Sequence, residues 1–263
     1  MSLKHKIVED LKVLKSEYGV VSIKAEFEAE GSRKDELIML RDFVEEVGLG
    51  LIIKIGGCEA VHDLDQCKLL DATGVMAPMI ETPFAMRKFK GAVKKVYGDI
   101  EQDNIKIERI INAETKTCLK NFDEILDEGE GFLTGVTVGR SDLSASMDIA
   151  KKDIETEPVF LATREFCEKA KSRGLITNFG GNIGIESIPF IINMNQYIDR
   201  FETRKVVISK HDDPTFLKKA IASALSFELD YLKFKSAYYT AMATEDAARI
   251  ERLTKQVESV KGE

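Results

Sequence analysis

The chain has 263 residues, 44% of them hydrophobic and 32% charged, with a formal net charge of −7. That balance argues against a nucleic-acid backbone as partner, and no segment approaches the ~18 consecutive apolar residues of a membrane span. The first residues carry charges throughout and lack the apolar centre of a signal peptide, so the expected compartment is the cytoplasm.

In chain order, the first residues through Gly19 read as an amphipathic helix. Next comes "VVSIKAEFE", where Val21, Ile23, Ala25 and Phe27 alternate with Ser22, Lys24, Glu26 and Glu28. Period two gives a strand with one apolar and one charged face. A helix follows over 34–47, a strand over 51–57, a helix over 60–70 and a strand over 74–80. Pro83 opens a helix to about residue 96, at the position where a missing N–H does no harm. A strand over 104–114 leads into one helix through residue 129. A strand at 132–139, a helix at 158–173, a strand at 175–181 and a short helix at 185–195 follow. The last strand is expected over 199–210, and 214–260 reads as helix in two segments.

Seven strands, each followed by a helix, predict a parallel sheet. No glycine-rich loop follows the first strand, and polar residues recur at several strand ends. Both points favour a closed TIM (β/α)8-type barrel over an open sheet, although the sequence does not display an eighth strand. The expected organisation is one barrel domain over 1–213 and a helical extension over 214–263. In such a barrel Val21, Ile23, Ala25 and Phe27 point at the helices. Lys24, Glu26 and Glu28 climb the interior, with Ile52 and Lys54 beside them, either as a structural ion pair or as part of a site.

Two stretches look chemical. In "RIINAETK" Asn112 and Glu114 share a face at a strand end, and in "TVGRSDLSAS" a strand stops at Gly139 before Arg140, Ser141 and Asp142. Two carboxylates on adjacent strand ends suit Mg²⁺ or Mn²⁺, and a glycine turn can present backbone N–H groups to an anion. Asp142 could equally cap a helix. Glu81 ends another strand; it is a candidate substrate contact or a cap for the helix at Pro83. Gly56 and Gly57 either leave room for substrate or make a turn. "NFGGNIG" is a weak anion-loop candidate. Arg200, Glu202 and Arg204 share a face and could pair with the early-strand acids. Met76, Met79 and Met86 read as core, and His62 as an ordinary helix residue. The four cysteines, Cys58, Cys67, Cys118 and Cys167, form no CxxC pair and read as reduced and mostly buried.

"MAPMIETPFAM", "INAETKTCLKNFDEIL" and "GVTVGRSDLSASM", in that order, resemble the HpcH/HpaI aldolase and citrate lyase β-subunit family. The resemblance implies a pyruvate/phosphoenolpyruvate-type barrel in which Glu114 and Asp142 are metal ligands. The amides of Ser141 and Asp142, following Gly139, would hold a substrate carboxylate. Lys54 stands where the family has an arginine for the keto or enolate oxygen, which keeps the charge and loses the planar fork. The family's Asp-x-Glu-His motif is missing, so Glu26 or Glu28 would have to move the proton. The implied activity is a divalent-metal-dependent C–C lyase or aldolase acting on a small 2-oxo acid through a metal-stabilised enolate. The alternatives are a citrate-lyase-type acyl-thioester lyase and a barrel that binds a 2-oxo or sugar acid without turnover. The apolar stripe of Leu217, Ile221, Leu225, Leu229 and Leu232, extended by Tyr238 and Tyr239, predicts a homo-oligomer, because the family's carboxyl-terminal helices pack across subunits.

Overall fold

The computed structural model describes residues 2–99 and 106–261. Eight strands form a closed barrel in the order β1-β2-β3-β4-β5-β6-β7-β8. They are β1 (Val20–Glu26), β2 (Gly50–Lys54), β3 (Gly74–Ala77), β4 (Glu108–Ala113), β5 (Gly135–Gly139), β6 (Ile176–Gly180), β7 (Arg200–Glu202) and β8 (Val206–Ser209). The helices are α1 (Leu3–Tyr18), α2 (Lys34–Glu46), α3 (Val61–Leu69), α4 (Pro83–Tyr97), α5 (Lys116–Lys120), α6 (Phe122–Glu128), α7 (Arg140–Ser146), α8 (Glu157–Ser172), α9 (Ile188–Met194) and α10 (Pro214–Lys261). Positions 104 and 105 of the expected strand 104–114 lie outside the described residues.

The eighth strand explains how the barrel closes. The single strand expected over 199–210 is a hairpin. β7 runs parallel to β6, whereas β8 runs antiparallel to both β7 and β1. Its turn has no Gly, Pro or Asn. Thr203 makes it instead, its N–H donating to Val206 O at 3.0 Å and its hydroxyl accepting from Val206 N at 3.1 Å. Local side-chain bonding of this kind substitutes for turn-specific residues.

Two other expectations change. The helix expected through residue 129 breaks at Asn121, whose side-chain amide donates to Glu81 O at 2.8 Å. The two segments expected after Pro214 are one continuous helix, since no Gly or Pro interrupts residues 215–261.

The main core lies between the strands and the helices, and Ile23, Ala25 and partly buried Phe27 belong to it. Val21 does not. A register shift between Val20 and Ser22 against β8 turns Val21 inward, onto a small inner cluster of Ile52, Met76, Ile110 and Val207. That cluster plugs the barrel floor, where Arg200 also donates to Glu108 at 2.8 and 3.1 Å. The inner floor is therefore filled by an apolar cluster and one ion pair, and the network of Lys24, Glu26 and Glu202 begins one layer higher.

α10 packs on the barrel through Leu217, Ala220, Ile221, Ala224, Phe227, Tyr231 and Phe234, all buried. Each large apolar side chain so buried contributes roughly 1.5–3 kcal/mol. Lys6 of α1 meets Asp230 at 2.5 Å, and Tyr18 meets Phe216 edge-on, so α1 and α10 lie antiparallel. Leu225, Leu229 and Leu232 form a second, exposed stripe. Residues 240–260 are exposed on all sides, a projection of about 30 Å at 1.5 Å per residue.

Candidate active site at the barrel mouth

The carboxyl ends of the parallel strands surround a cavity of about 520 Å³. Glu26, Glu28, Lys54, Glu114, Gly139, Ser141 and Asp142 all line it. Glu81 does not. Its carboxylate accepts from the Thr115 hydroxyl at 2.6 Å, and Thr115 in turn caps α5 through Cys118 N. Glu81 thus braces the turn after β4 from outside the cavity.

Glu114 follows the last residue of β4 and is only 1% exposed. Its Oε1 accepts the Met79 N–H at 2.9 Å, and its Oε2 accepts from the Asn112 amide at 2.8 Å. Met79 reaches it from a left-handed backbone, with φ 51°. Unlike Met76 and Met86, Met79 is exposed and belongs to the cavity wall. Burial raises the Glu114 pKa, against the pull of Lys54 and the two hydrogen bonds. The Lys54 ammonium lies 2.8 Å from Glu28 Oε2 and 3.6 Å from Glu114 Oε2. Burial alone would lower its pKa, but Glu114, Glu28 and Glu26 outweigh burial and hold it protonated.

A second lysine sits one layer down. Lys24 pairs with Glu202 and, at 3.2 Å, with Glu26. Glu202 also accepts from the Asn178 amide at 2.6 Å. The early-strand acids therefore have separate partners: Glu26 takes Lys24, Glu28 takes Lys54, and Glu30 takes Lys205 and Arg204. Of the face expected on 200–204, Arg200 pairs with β4, whereas Glu202 and Arg204 do meet the first-strand region.

Glycines let the walls close up. A Cβ on Gly139 would lie 2.6 Å from Glu114 Oε2, and one on Gly181 would lie 2.6 Å from Ser141 N. Gly181 also has φ +92°, a backbone that favours glycine. Arg140 fixes this approach. It is fully buried, donates to Gly180 O at 3.2 Å, Gly181 O at 2.9 Å and Glu155 Oε2 at 2.9 Å, and stacks over Phe190 at 4.3 Å. The "NFGGNIG" loop thereby becomes a cavity wall through Gly180–Ile183. Gly56, by contrast, makes a turn in which its N–H donates to Asp63 at 2.7 Å.

Sequence reasoning gave no role to Arg140 or Asn182, although both lie inside the quoted stretches "TVGRSDLSAS" and "NFGGNIG", and it missed the site contributions of Leu225 and Glu228. Leu225 and Glu228 come from α10, and nothing local in their sequence marks them.

The sequence model of the HpcH/HpaI aldolase/citrate lyase family matches residues 35–180. The chain belongs to that family. No curated protein matches. Among solved structures, an HpcH/HpaI aldolase from Desulfitobacterium hafniense DCB-2 superposes with a TM-score of 0.62 at 14% identity, covering 77% of this chain and 82% of that one. A citrate synthase, SbnG, gives 0.58 at 15% identity over 86% and 88% of the two chains. A HpcH/HpaI aldolase/citrate lyase family protein from Burkholderia cenocepacia J2315 gives 0.53 at 15% identity over 66% and 75%. At these identities the structural likeness carries the barrel fold.

The HpcH/HpaI family is generally divalent-metal dependent, and the cavity's donor set fits such an ion. Six carboxylates line it (Glu26, Glu28, Glu114, Asp142, Glu202 and Glu228) against four cations (Lys24, Lys54, Lys151 and Arg204). An anionic substrate would enter against an excess of two negative charges, which one divalent cation offsets. Asn112 Oδ1, buried and without a hydrogen-bond partner, adds an unused oxygen beside Glu114. Among the described residues no group of three or more His, Cys, Asp or Glu side chains is placed to hold an ion. An ion held here would therefore take no more than two carboxylates from the described residues, with water and substrate at its other positions, as Mg²⁺ accepts.

Proposed function

We propose that this member of the HpcH/HpaI family is a divalent-metal-dependent carbon–carbon lyase of aldolase type, acting on a small 2-oxo acid related to pyruvate or oxaloacetate. The observation that carries the reading is the convergence of Glu114, Asp142 and the protonated Lys54 on one cavity. Mg²⁺ or Mn²⁺, held by Glu114 and Asp142, would supply Lewis acidity at the keto oxygen. The backbone N–H groups of Ser141 and Asp142, in the first turn of α7, orient the substrate carboxylate. Lys54 places its positive charge at the oxygen that becomes the enolate, a donor of the kind worth about 3 kcal/mol in the transition state.

Bond cleavage needs a base for the departing hydroxyl proton. Glu28 serves better than Glu26. Both pair with a lysine, Glu26 with Lys24 and Glu28 with Lys54, but the Glu28 side chain is 30% exposed against 10% and so is the more open to a substrate. Glu28 takes the hydroxyl proton as the C–C bond breaks and the aldehyde carbonyl forms. The bonding electron pair passes to the 2-oxo acid as its enolate, and protonation at carbon 3 releases the acid. A homo-oligomer is part of this reading, supported by the exposed Leu229, Leu232, Ile250, Leu253, Val257 and Val260 along α10.

The test is calorimetric titration of oxalate, an enolate mimic, and of pyruvate, without metal and with Mg²⁺ or Mn²⁺. Binding that requires metal and disappears in Glu114→Ala and Asp142→Ala supports the reading. Absence of binding under every condition overturns it in favour of the acyl-thioester alternative or a barrel without turnover.

A further inference from the structure

One buried cluster of the cavity takes no part in the steps above. Lys24, on the inward face of β1, holds two carboxylates at once: Glu202 from β7, and Glu26, two residues on in its own strand, at 3.2 Å. Glu202 is fixed in turn by the Asn178 amide at 2.6 Å, and that amide also donates to the Thr137 hydroxyl at 3.2 Å. Lys24, Glu26 and Glu202 are all buried, and all three line the cavity. The barrel does not need charge to fill its centre. One layer lower, Ile52, Met76, Ile110 and Val207 fill it with apolar side chains. A buried ion pair is commonly no more stabilising than apolar residues of like volume, so packing alone does not account for this triad.

The position of Glu26 does. Glu26 is the register partner of Lys54 on β2, so the two stand on neighbouring parallel strands, about 4.8 Å apart, and both line the cavity. Glu26 is among the carboxylates whose charge Lys54 feels. The other cations within its electrostatic reach, Arg204 and Lys205, are paired with Glu30. Without Lys24, the Glu26 carboxylate would therefore turn to Lys54, which has two N–H donors beyond its contact with Glu28. Those are the donors on which the 2-oxo acid depends.

We infer that Lys24 is a positioning residue for substrate binding: it holds Glu26 at the cavity floor, keeps that carboxylate off Lys54, and so leaves the Lys54 donors open to the 2-oxo acid. Glu202, tied to Asn178, anchors the ammonium from β7. The inference rests on the lyase reading above, through the role given there to Lys54, and deepens it.

The experiment is calorimetric titration of oxalate at saturating Mg²⁺, with Mg²⁺ alone as the companion titration. The proteins are the wild type, Lys24→Met, Lys24→Met/Glu202→Gln, and each of these variants with Glu26→Gln added. Lys24→Met/Glu202→Gln removes both charges of the buried pair and serves where Lys24→Met alone does not fold, which a circular-dichroism melt reports. With Glu26 present, loss of Lys24 is expected to weaken oxalate binding by at least about tenfold, while Mg²⁺ affinity changes by less than about threefold. With Glu26→Gln in place, the same loss of Lys24 is expected to weaken oxalate by about threefold or less, a coupling that a double-mutant cycle reads directly. A purely structural role would lower Mg²⁺ and oxalate affinity together, and Glu26→Gln would not undo it. Saturating substrate displaces a competing side chain, so KM for pyruvate, in methyl-proton exchange followed by NMR in D₂O, should rise about tenfold while kcat changes little. Unchanged oxalate affinity in the folded Lys24 variants, or a loss that Glu26→Gln leaves in full, overturns the inference, and metal-dependent oxalate binding by the wild type then still supports the lyase reading. Failure of both Lys24 variants to fold assigns Lys24 to the scaffold and also overturns it. If the wild type binds neither oxalate nor pyruvate, with or without metal, the lyase reading fails and takes this inference with it.

Discussion

The Lys54 ammonium stands 3.6 Å from Glu114 Oε2, near enough for charge but beyond a hydrogen bond. Its one short contact within the cavity is to Glu28 at 2.8 Å, so two of its three N–H donors are left for a ligand. Lys54→Met should lower kcat by about 10²–10³ and lower the melting temperature as well, since it leaves the buried Glu114 without its neighbouring cation. Lys54→Arg should keep part of the activity, because the charge survives while the reach and donor geometry change. Steady-state kinetics on all three proteins checks this, and equal kcat in wild type and Lys54→Met removes Lys54 from the chemistry.

Gly139 offers a cleaner test of the carboxylate. Its backbone, with φ −85° and ψ 86°, tolerates a side chain. The space does not, since a Cβ would lie 2.6 Å from Glu114 Oε2 and 3.1 Å from Glu114 Cβ. Gly139→Ala should displace Glu114 and weaken metal-dependent oxalate binding by at least about tenfold, at a stability cost of about 1–3 kcal/mol for overpacking. Calorimetry with a parallel urea melt separates the two effects.

Glu30 holds Lys205, 3% exposed, and Arg204 behind the mouth. Burial works to raise the Glu30 pKa, but Lys205 and Arg204 outweigh it and hold the carboxyl below its usual range. A depressed carboxyl pKa contributes stability above the ordinary glutamate value, and that contribution fades as pH falls through the folded-state value. Glu30→Gln should therefore cost about 3–5 kcal/mol near neutral pH, where it leaves Lys205 buried without its partner. The gap from wild type should narrow below about pH 4.5. Urea unfolding across pH measures both, and a gap that widens in acid contradicts the assignment.

Arg140 ties α7 to the β6 loop by bonding Gly180 O, Gly181 O and Glu155. Arg140→Met keeps the bulk over Phe179 and Phe190 but orphans those two carbonyls. A loss of about 3 kcal/mol in stability is expected, with a rise in KM for the 2-oxo acid as the Ser141 and Asp142 amides lose their register. Hydrogen exchange at residues 139–144 and 180–183 should quicken in the variant; unchanged exchange there means that the loop is held by other contacts.

The sequence carried the barrel and one side of its mouth. Alternation in β1 placed Lys24, Glu26 and Glu28 inside, and the stops at Glu114 and Gly139 marked strand ends, because period and breakers are local signals. The hairpin at 203–206 was hidden, since Thr203 makes that turn without a turn-type residue. Val21 turned inward at a register shift, which depends on pairing with a strand about 185 residues away and so leaves no trace in the local pattern. The strand expected over 74–80 ends at Ala77, so Glu81 stands four residues past it and accepts from Thr115 outside the cavity. Leu225 reads as part of the apolar stripe of the terminal helix and Glu228 carries no local signal; only the direction in which α10 climbs brings them to the mouth.

That direction follows from the reversed β8. Up to β7 each strand rises to the mouth and the chain returns on the outside. One inverted strand exchanges the two poles for everything after it, so α10 starts beneath the barrel floor, ascends past the entrance at Leu225 and Glu228, and carries residues 240–260 out beyond the rim. A regular eighth unit would have sent that helix to the opposite pole. The projecting segment thus gives the molecule a handle on its entrance side: a surface tether or dye fixed to it would orient every barrel with its mouth toward the support.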